Sequence, residues 1–401
     1  MHTLHKLTSP PAHLRCVVRT WYQILHLCSQ SESTSQRLST DNELSRGMGC
    51  EPTTNLSSGE TTEIPNSVSR QQLVKYLLNH APYQDDHILA INKPNGFPIL
   101  VPKPNVFGSS VIYLDSKVQG GEIDSDKVSY QREPRNHRSK KHKFIHQPYE
   151  TSLSLTDVLP DIQEHVNSPE LEIGMTLPRL YSGIVVLTKT EHGKMRLKKY
   201  LETVRSQRSL YQSFSCLTVG TPSTLDKESE TVMCKLAEID GRTLTVPTGD
   251  VSINTLKKGE AVRIEVSLQR VCENKQLGCA LLAVKPTRDK WDVVEWYCTR
   301  RLCCVLGDNV YSARVGSILG VPSHVEPHIA LPQPQEIPEK ILQKLHLRKE
   351  YVPYLPLHVH RGCVELTGIP HRKADPIFIR APIPEFFSDS LRYLNLHMEK
   401  R

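Results

Sequence analysis

Glu172-Ile-Gly-Met-Thr-Leu-Pro-Arg-Leu-Tyr-Ser-Gly-Ile-Val-Val-Leu-Thr-Lys189 is the stretch around which the chain is organised. Its second half holds a short apolar, β-branched run, Ile184-Val185-Val186-Leu187, preceded by Ser182-Gly183. That pattern reads as a buried strand fed by a tight, permissive turn. Behind it, Thr190 can cap a helix, with Glu191 well placed at the helix's positive end. Leu197, Tyr200, Leu201 and Val204 then recur at i, i+3, i+4 and i+7, one buried helical stripe. The unit is loop, strand, cap, helix. The loop opens onto whatever the strand supports.

The chain has 401 residues, 38% of them hydrophobic and 23% charged, a soluble composition with room for one large domain or two. No apolar run approaches the ~18 residues of a membrane span. The net charge of +7 suits a nucleic-acid partner without requiring one. Eleven cysteines are scattered without the paired spacing that zinc needs, so they read as free thiols in a reducing compartment. No metal or cofactor is implied.

Residues 1–31 contain no acid, carry Lys6, Arg15 and Arg19, and place Val17, Val18, Trp21, Ile24, Leu25 and Leu27 in an amphipathic pattern. This reads as a mitochondrial presequence, the alternative being an ordinary disordered N-terminus. Residues 32–66 are polar and aperiodic, a linker. Order is expected from 67 to 395. Ser69 and Gln72 make a capping box for a helix with Leu73, Val74, Leu77 and Leu78 on its apolar face. Next, Ile88-Leu89-Ala90-Ile91 runs into Asn92-Lys93-Pro94-Asn95-Gly96, a strand ending in a sharp turn. There Lys93 is either a phosphate contact or a solvated lysine. Residues 115–150 read as an insertion whose basic run, Arg132, Arg135, Arg138, Lys140, Lys141 and Lys143, is either an RNA-phosphate clamp or a solvated loop. Ser154 to His165 reads as a helix. Strands follow over 214–220, 232–236, 243–246, 261–268 and 279–285, with Asp240-Gly241 as a hairpin turn.

The opening stretch resembles the active-site motif of the RluA family of RNA pseudouridine synthases, His-Arg-Leu-Asp-x-x-Thr-Ser-Gly followed by an apolar strand and Ala-Lys. Leu177, Ser182-Gly183, the strand and Lys189 match. The family's catalytic aspartate, however, falls on Pro178, its arginine on Thr176 and its histidine on Met175. The strand ending in Asn92-Lys93-Pro94 also resembles the family. So does the strand at 212–220, where Phe214 takes the position of a tyrosine that packs against the target base and Gln212 that of a lysine. Val305 to Tyr311 is similar to the family's Gly-Asp-x-x-Tyr turn, Leu357-His358-Val359 to its Leu-His-Ala strand, and Ala381 to Phe387 to its closing Ala-Pro-x-Pro. In the helix over 292–298, the arginine that pairs with the catalytic aspartate has become Glu295. The resemblance spans about 85–394.

The resemblance implies an α+β pseudouridine synthase fold: a mixed, largely antiparallel central sheet flanked by helices and loops. Gly307-Asp308-x-x-Tyr311-Ser312-Ala313-Arg314, Ile239-Asp240-Gly241 and Leu355-Pro356-Leu357-His358 are similar to the mitochondrial mRNA pseudouridine synthase subgroup (third RPUSD type). That implies mitochondrial mRNA or rRNA as partner, a matrix location, and mitochondrial RNA-granule or ribosome-assembly proteins as neighbours. The family's chemistry needs a carboxylate held ionised by a cation, and Pro178 supplies none. The nearest acid in sequence, Glu172, lies up to ~20 Å away along an extended chain. Glu295 could reach the loop from the opposite side. Arg179 is the nearby cation, holding either phosphate or nothing. Two functions therefore stand: a synthase with an unconventional carboxylate, and a catalytically inactive RNA-binding protein on the same scaffold.

Overall fold

The computed structural model describes residues 69–100, 153–222, 229–369, 371 and 373–396. The expected presequence (1–31), linker (32–66) and basic insertion (115–150) lie outside the described residues, Arg132 to Lys143 included.

The local signals fold as their residues dictate. Helix α1 (Arg70–Asn79) starts at the Ser69–Gln72 capping box. A two-residue strand β1 (Tyr83–Gln84) leads to β2 (Ile88–Lys93). Helix α2 (Leu155–His165) is capped by Ser154 and Asp157 and runs through Pro160 without ending. The organising stretch forms β3 (Glu172–Met175), a loop, and β4 (Ser182–Thr188). Thr190 then accepts the Gly193 N–H at 3.1 Å and starts α3 (Glu191–Gln207). Strand β3 has no strong alternation of its own. It forms because β4 offers a paired edge, Glu172 opposite Thr188 and Ile173 opposite Leu187.

After β5 (Gln212–Val219) come β6 (Glu230–Ile239) and β7 (Arg242–Pro247), joined by Asp240-Gly241 with φ of 50° and 69°. Two positive φ values are what a two-residue hairpin turn of the right twist demands. A short α4 (Ile253–Lys258) precedes the long strands β8 (Ala261–Asn274) and β9 (Cys279–Pro286). Helix α5 (Val293–Arg300), β10 (Cys304–Val305), the small hairpin β11 (Val315–Ile318) and β12 (Val321–His324), and α6 (Glu339–Lys344) follow. The chain closes with β13 (Val359–Leu366), β14 (Ile377–Arg380) and α7 (Glu385–Tyr393).

Twelve of these strands make one sheet in the order β1-β2-β4-β13-β5-β9-β8-β6-β7, with β3, β10 and β14 pairing off that path. Every described pairing is antiparallel except β4 with β13. This is the mixed, largely antiparallel sheet expected from the sequence. Gly183 makes the exception possible. A Cβ there would lie 2.4 Å from the Arg361 carbonyl oxygen, and its φ is +117°. Only glycine lets β4 start that close to β13.

Alternation along the strands gives the sheet two apolar faces. Leu89 and Ile91 of β2, Val185 and Leu187 of β4, and Phe214 and Cys216 of β5 pack against α1, α2 and α5. Ile88, Ala90, Ile184 and Val186 face the α3 stripe of Leu197 and Val204. Further along that side, Leu217 of β5 and Leu281 of β9 bury α6 and α7. No helix among the described residues is long and apolar enough to cross a membrane.

Candidate functional site

The loop between β3 and β4 is tied to the Asn-Lys-Pro-Asn-Gly turn after β2. The Gly96 N–H donates to the Arg179 carbonyl at 2.9 Å, and Arg179 Nε returns a bond to the Gly96 carbonyl at 3.1 Å. Asn95 Nδ2 donates to the carbonyls of Leu180 and Leu357. Lys93 lies inside this knot, fully buried, with Nζ donating to the carbonyls of Pro94 and Phe97 at 3.0 Å and Arg179 at 2.9 Å. Burial, with the Arg361 and Arg179 charges adding to it, pulls the Lys93 amine well below the usual lysine range. This corrects both readings of Lys93: it is neither solvated nor open to a phosphate. It is the internal clamp of the turn.

From below, the loop is held by Arg361, 1% exposed on β13. Its guanidinium donates to the Thr176 carbonyl at 2.7 Å, to the Ile184 carbonyl at 2.8 Å, to Gln212 Oε1 at 3.4 Å and to Asp289 Oδ2 at 3.0 Å. Both ends of the loop and two neighbouring segments therefore share one cation.

Above it, Tyr181 fills the position where the family motif has threonine. Its ring meets Phe214 edge-on, centroids 5.8 Å apart, and its hydroxyl donates a short bond to Glu295 Oε2. Tyr181, Phe214 and Glu295 are all buried. Phe214 is fully buried, with Tyr181 packed edge-on against it, and therefore presents no free face for a base. Glu295, as the motif register placed it, points from α5 at the motif loop. Glu172 does not. It is exposed on β3, at the far end of β4, and pairs with Lys194 at 2.8 Å. Pro178 sits half-buried on the loop, and Arg179 is half-buried against Gly96.

Helix α5 begins with two consecutive left-handed residues, Trp291 at φ 63° and Asp292 at 50°. Neither is glycine, and each costs about 1–2 kcal/mol. The turn is held by Thr245, whose hydroxyl donates to the Trp291 carbonyl at 2.5 Å, and by Tyr311, whose hydroxyl donates to Asp292 Oδ2 at 3.2 Å. Asp308 organises the neighbouring turn, accepting the N–H groups of Val310 and Tyr311 at 2.8 and 2.9 Å. Arg314 closes the cluster, its guanidinium 4.7 Å over the Tyr311 ring.

Two buried carboxyl groups, Glu295 and Asp308, thus lie near the half-buried Asp292. Burial, then the Asp292 and Asp308 charges, push the Glu295 carboxyl well above the usual range. Burial pushes Asp308 up to about 6, against the two N–H donors and Arg314. Burial and Glu295 push the Tyr181 phenol up. Burial biases both groups toward their neutral forms, and in those forms neither is a nucleophile.

A raised carboxyl pKa means that the folded chain binds a proton the unfolded chain releases above about pH 4.3. The stability this contributes is present below that pH and fades as pH rises through the folded value. His360, lowered to about 4 by burial, acts oppositely, losing its contribution as pH falls from about 6.5. The two groups overlap, so the wild-type profile mixes them. Glu295→Gln isolates one: its melting temperature relative to wild type is expected to rise as pH rises above about 4.3, the range in which the wild-type chain loses this contribution. A pH-independent difference would show that Glu295 titrates normally.

A largely antiparallel sheet with helices on both faces and a glycine-started strand behind a strapped loop is the pseudouridine synthase architecture. The structure is similar to human RNA pseudouridylate synthase domain containing 4, with a TM-score of 0.54 at 18% identity, covering 82% of this chain and 98% of that one. In sequence, the chain is 32% identical over 249 residues to the bovine mitochondrial mRNA pseudouridine synthase RPUSD3, covering 62% of this chain and 71% of the relative. It is 31% identical to the human protein of that name, over 62% and 70% of the two chains, and 22% identical to zebrafish pseudouridylate synthase RPUSD4. No family model matches. The chain belongs to the pseudouridine synthase family, with its curated relatives among the RPUSD proteins.

Proposed function

We propose that this chain works in mitochondria as an RNA-binding member of the pseudouridine synthase family, recognising mRNA or rRNA and supporting translation or ribosome assembly rather than isomerising uridine. One observation carries this reading: Phe214 is fully buried with Tyr181 edge-on against it, and the Tyr181 hydroxyl is tied to Glu295. A flipped base needs a stacking face and an ionised carboxylate beside it. Here the aromatic ring is buried against the chain's own tyrosine, and Pro178 stands at the aspartate position. The names of the relatives support an RNA substrate and a mitochondrial site. The acid-free residues 1–31 support import to the matrix, and RNA-granule or ribosome-assembly proteins are the partners such a role would bring near.

A second reading, a working synthase that uses Glu295, draws support from Glu295 reaching the motif loop and from relatives named as synthases. It requires Tyr181 to leave Phe214 and Glu295 to lose its proton. Mapping pseudouridine in mitochondrial RNA with and without the protein separates the two, followed by tritium release from 5-tritiated uridine RNA. Loss of particular pseudouridines together with turnover by the purified chain would establish the second reading and end the first.

The basic run gives a further expectation. Replacing Arg132, Arg135, Arg138, Lys140, Lys141 and Lys143 with glutamine is expected to weaken RNA binding across sequences, flattening the salt slope by about 0.7 for each phosphate no longer engaged. Unchanged affinity and slope would make the run a solvated loop.

A further inference from the structure

Helices α6 and α7 end side by side on the sheet face opposite Tyr181 and Glu295, since they pack on Leu217 rather than on Phe214. Between their ends lies an open surface groove of about 540 Å³, lined by Lys340, Lys344, His346 and Arg392 together with Leu277, Gln343, Tyr393 and Asn395. Its lining includes no carboxylate. Asp389, just outside the groove, pairs with Arg392 at 2.7 Å, and Lys340 Nζ donates to the Gln276 carbonyl at 2.6 Å, which holds the amine without neutralising its charge.

Two ordinary explanations of this charge fall short. Cations at helix C-termini offset the helix dipole, and Lys344 and Arg392 occupy the last turns. However, α6 has six residues and little dipole to offset, and Lys340 and His346 remain beyond that need. Helix termination accounts for left-handed residues here but does not require these particular side chains. Both helices are followed by a left-handed residue, His346 at φ 53° and Asn395 at φ 53°. Glycine is the least strained choice there. Instead each position carries a side chain, and both side chains line the groove. The His346 ring stands edge-on to Tyr393, centroids 5.6 Å apart, giving the groove two aromatic rings beside its cations.

Cations, amides and aromatic rings in one open groove are the combination that holds a single-stranded polynucleotide, phosphates on the lysines and bases against the rings. We propose that the α6–α7 groove is a second RNA-binding site, taking the phosphodiester backbone of a single-stranded segment that flanks whatever the opposite face engages. This rests on the reading of the chain as an RNA-binding protein. An acidic peptide would use the lysines but not the rings.

The test uses the full chain and fluorescence anisotropy with labelled single-stranded RNA across a salt series. Lys340→Gln, Lys344→Gln and Arg392→Gln together are expected to weaken binding about tenfold or more and to lower the salt slope by about 2, or about 0.7 for each of three phosphates. A control with the same charge change, Lys198→Gln, Lys199→Gln and Lys258→Gln, is expected to do markedly less. The decisive variant is His346→Gly with Asn395→Gly. It relieves two left-handed side chains, so it should keep or raise the melting temperature while weakening RNA binding. Equal effects in groove and control variants would overturn the proposal, as would undiminished binding by the glycine pair. A polyglutamate peptide that outcompetes RNA for the groove would also overturn it. RNA binding by wild type that ignores all groove changes leaves the proposed function standing and removes this site alone; absence of RNA binding by wild type removes both.

Discussion

Arg361→Met is expected to destabilise the chain by about 3–5 kcal/mol, against a total of about twice that for a domain of ordinary stability. Methionine fills much of the volume but donates nothing. The Thr176 and Ile184 carbonyls, Gln212 and Asp289 all lose the one cation they share. Removing one partner from a buried charged network leaves the others desolvated without compensation. Arg361→Lys should recover only part of the stability, because a point charge cannot reach carbonyls on both ends of the loop and the Asp289 carboxylate together. The damage should also be local before it is global. In Arg361→Lys the loop over 176–181 should become the first site of protease cleavage, while the core strands stay protected. Chemical denaturation measures the first effect and limited proteolysis with mass spectrometry the second. A Met variant within about 1 kcal/mol of wild type would mean the guanidinium is not the keystone its geometry describes.

Much of this architecture was legible in the residues, and the parts that were not share a cause. Strands β2 and β4 announce themselves through short continuous apolar runs, α1 and α3 through their caps, and the β6–β7 hairpin through Asp240-Gly241. These signals are local, and tertiary packing agrees with them. Glu295 was also legible, because a gap-free register on the motif fixes which side of α5 faces the loop. Lys93 was not. Nothing in its neighbourhood says that three carbonyls from two turns converge on its amine, so burial of a lysine is invisible until the turn is closed. Phe214 reads as an open aromatic because the residue packed against it, Tyr181, lies on a different strand's approach and has no periodicity to reveal its direction. Arg361 follows an apparently ordinary strand start, and its partners come from four separate places in the chain. Glu172 stays out of the site as its separation along an extended chain implied, because a single extended strand carries it to the far end of β4.

The site's own history can be tested by rebuilding it. Pro178→Asp alone is expected to stay inactive, because the charged groups that α5 brings to the loop are carboxyls, Glu295 with Asp292 behind it. An aspartate there meets no cation from α5, while Arg361 is already committed to Asp289 and the loop carbonyls and Arg179 to the Gly96 carbonyl, and Tyr181 still stands against Phe214. Adding Glu295→Arg restores the cation. At ~4 Å and an effective dielectric of ~20, that pair is worth about 4 kcal/mol unscreened, an upper bound equivalent to about three pKa units on the aspartate. Phe214→Tyr adds little while Tyr181 remains, since the ring that carries the new hydroxyl would stay packed against another ring. Tyr181→Thr is the change that clears the face, and it also removes the hydroxyl that engages position 295. The triple variant Pro178→Asp, Tyr181→Thr, Glu295→Arg is therefore the first in which tritium release from 5-tritiated uridine RNA should rise above background, on the order of a hundredfold. Each single and double variant should remain near background. Near-UV circular dichroism on every variant separates a dead site from a lost fold, since Trp291 and Trp296 pack beside this cluster. Efficient release by Pro178→Asp alone would mean that Glu295 and Tyr181 do not block the site, and release by wild type would mean that the chain already holds a working carboxylate.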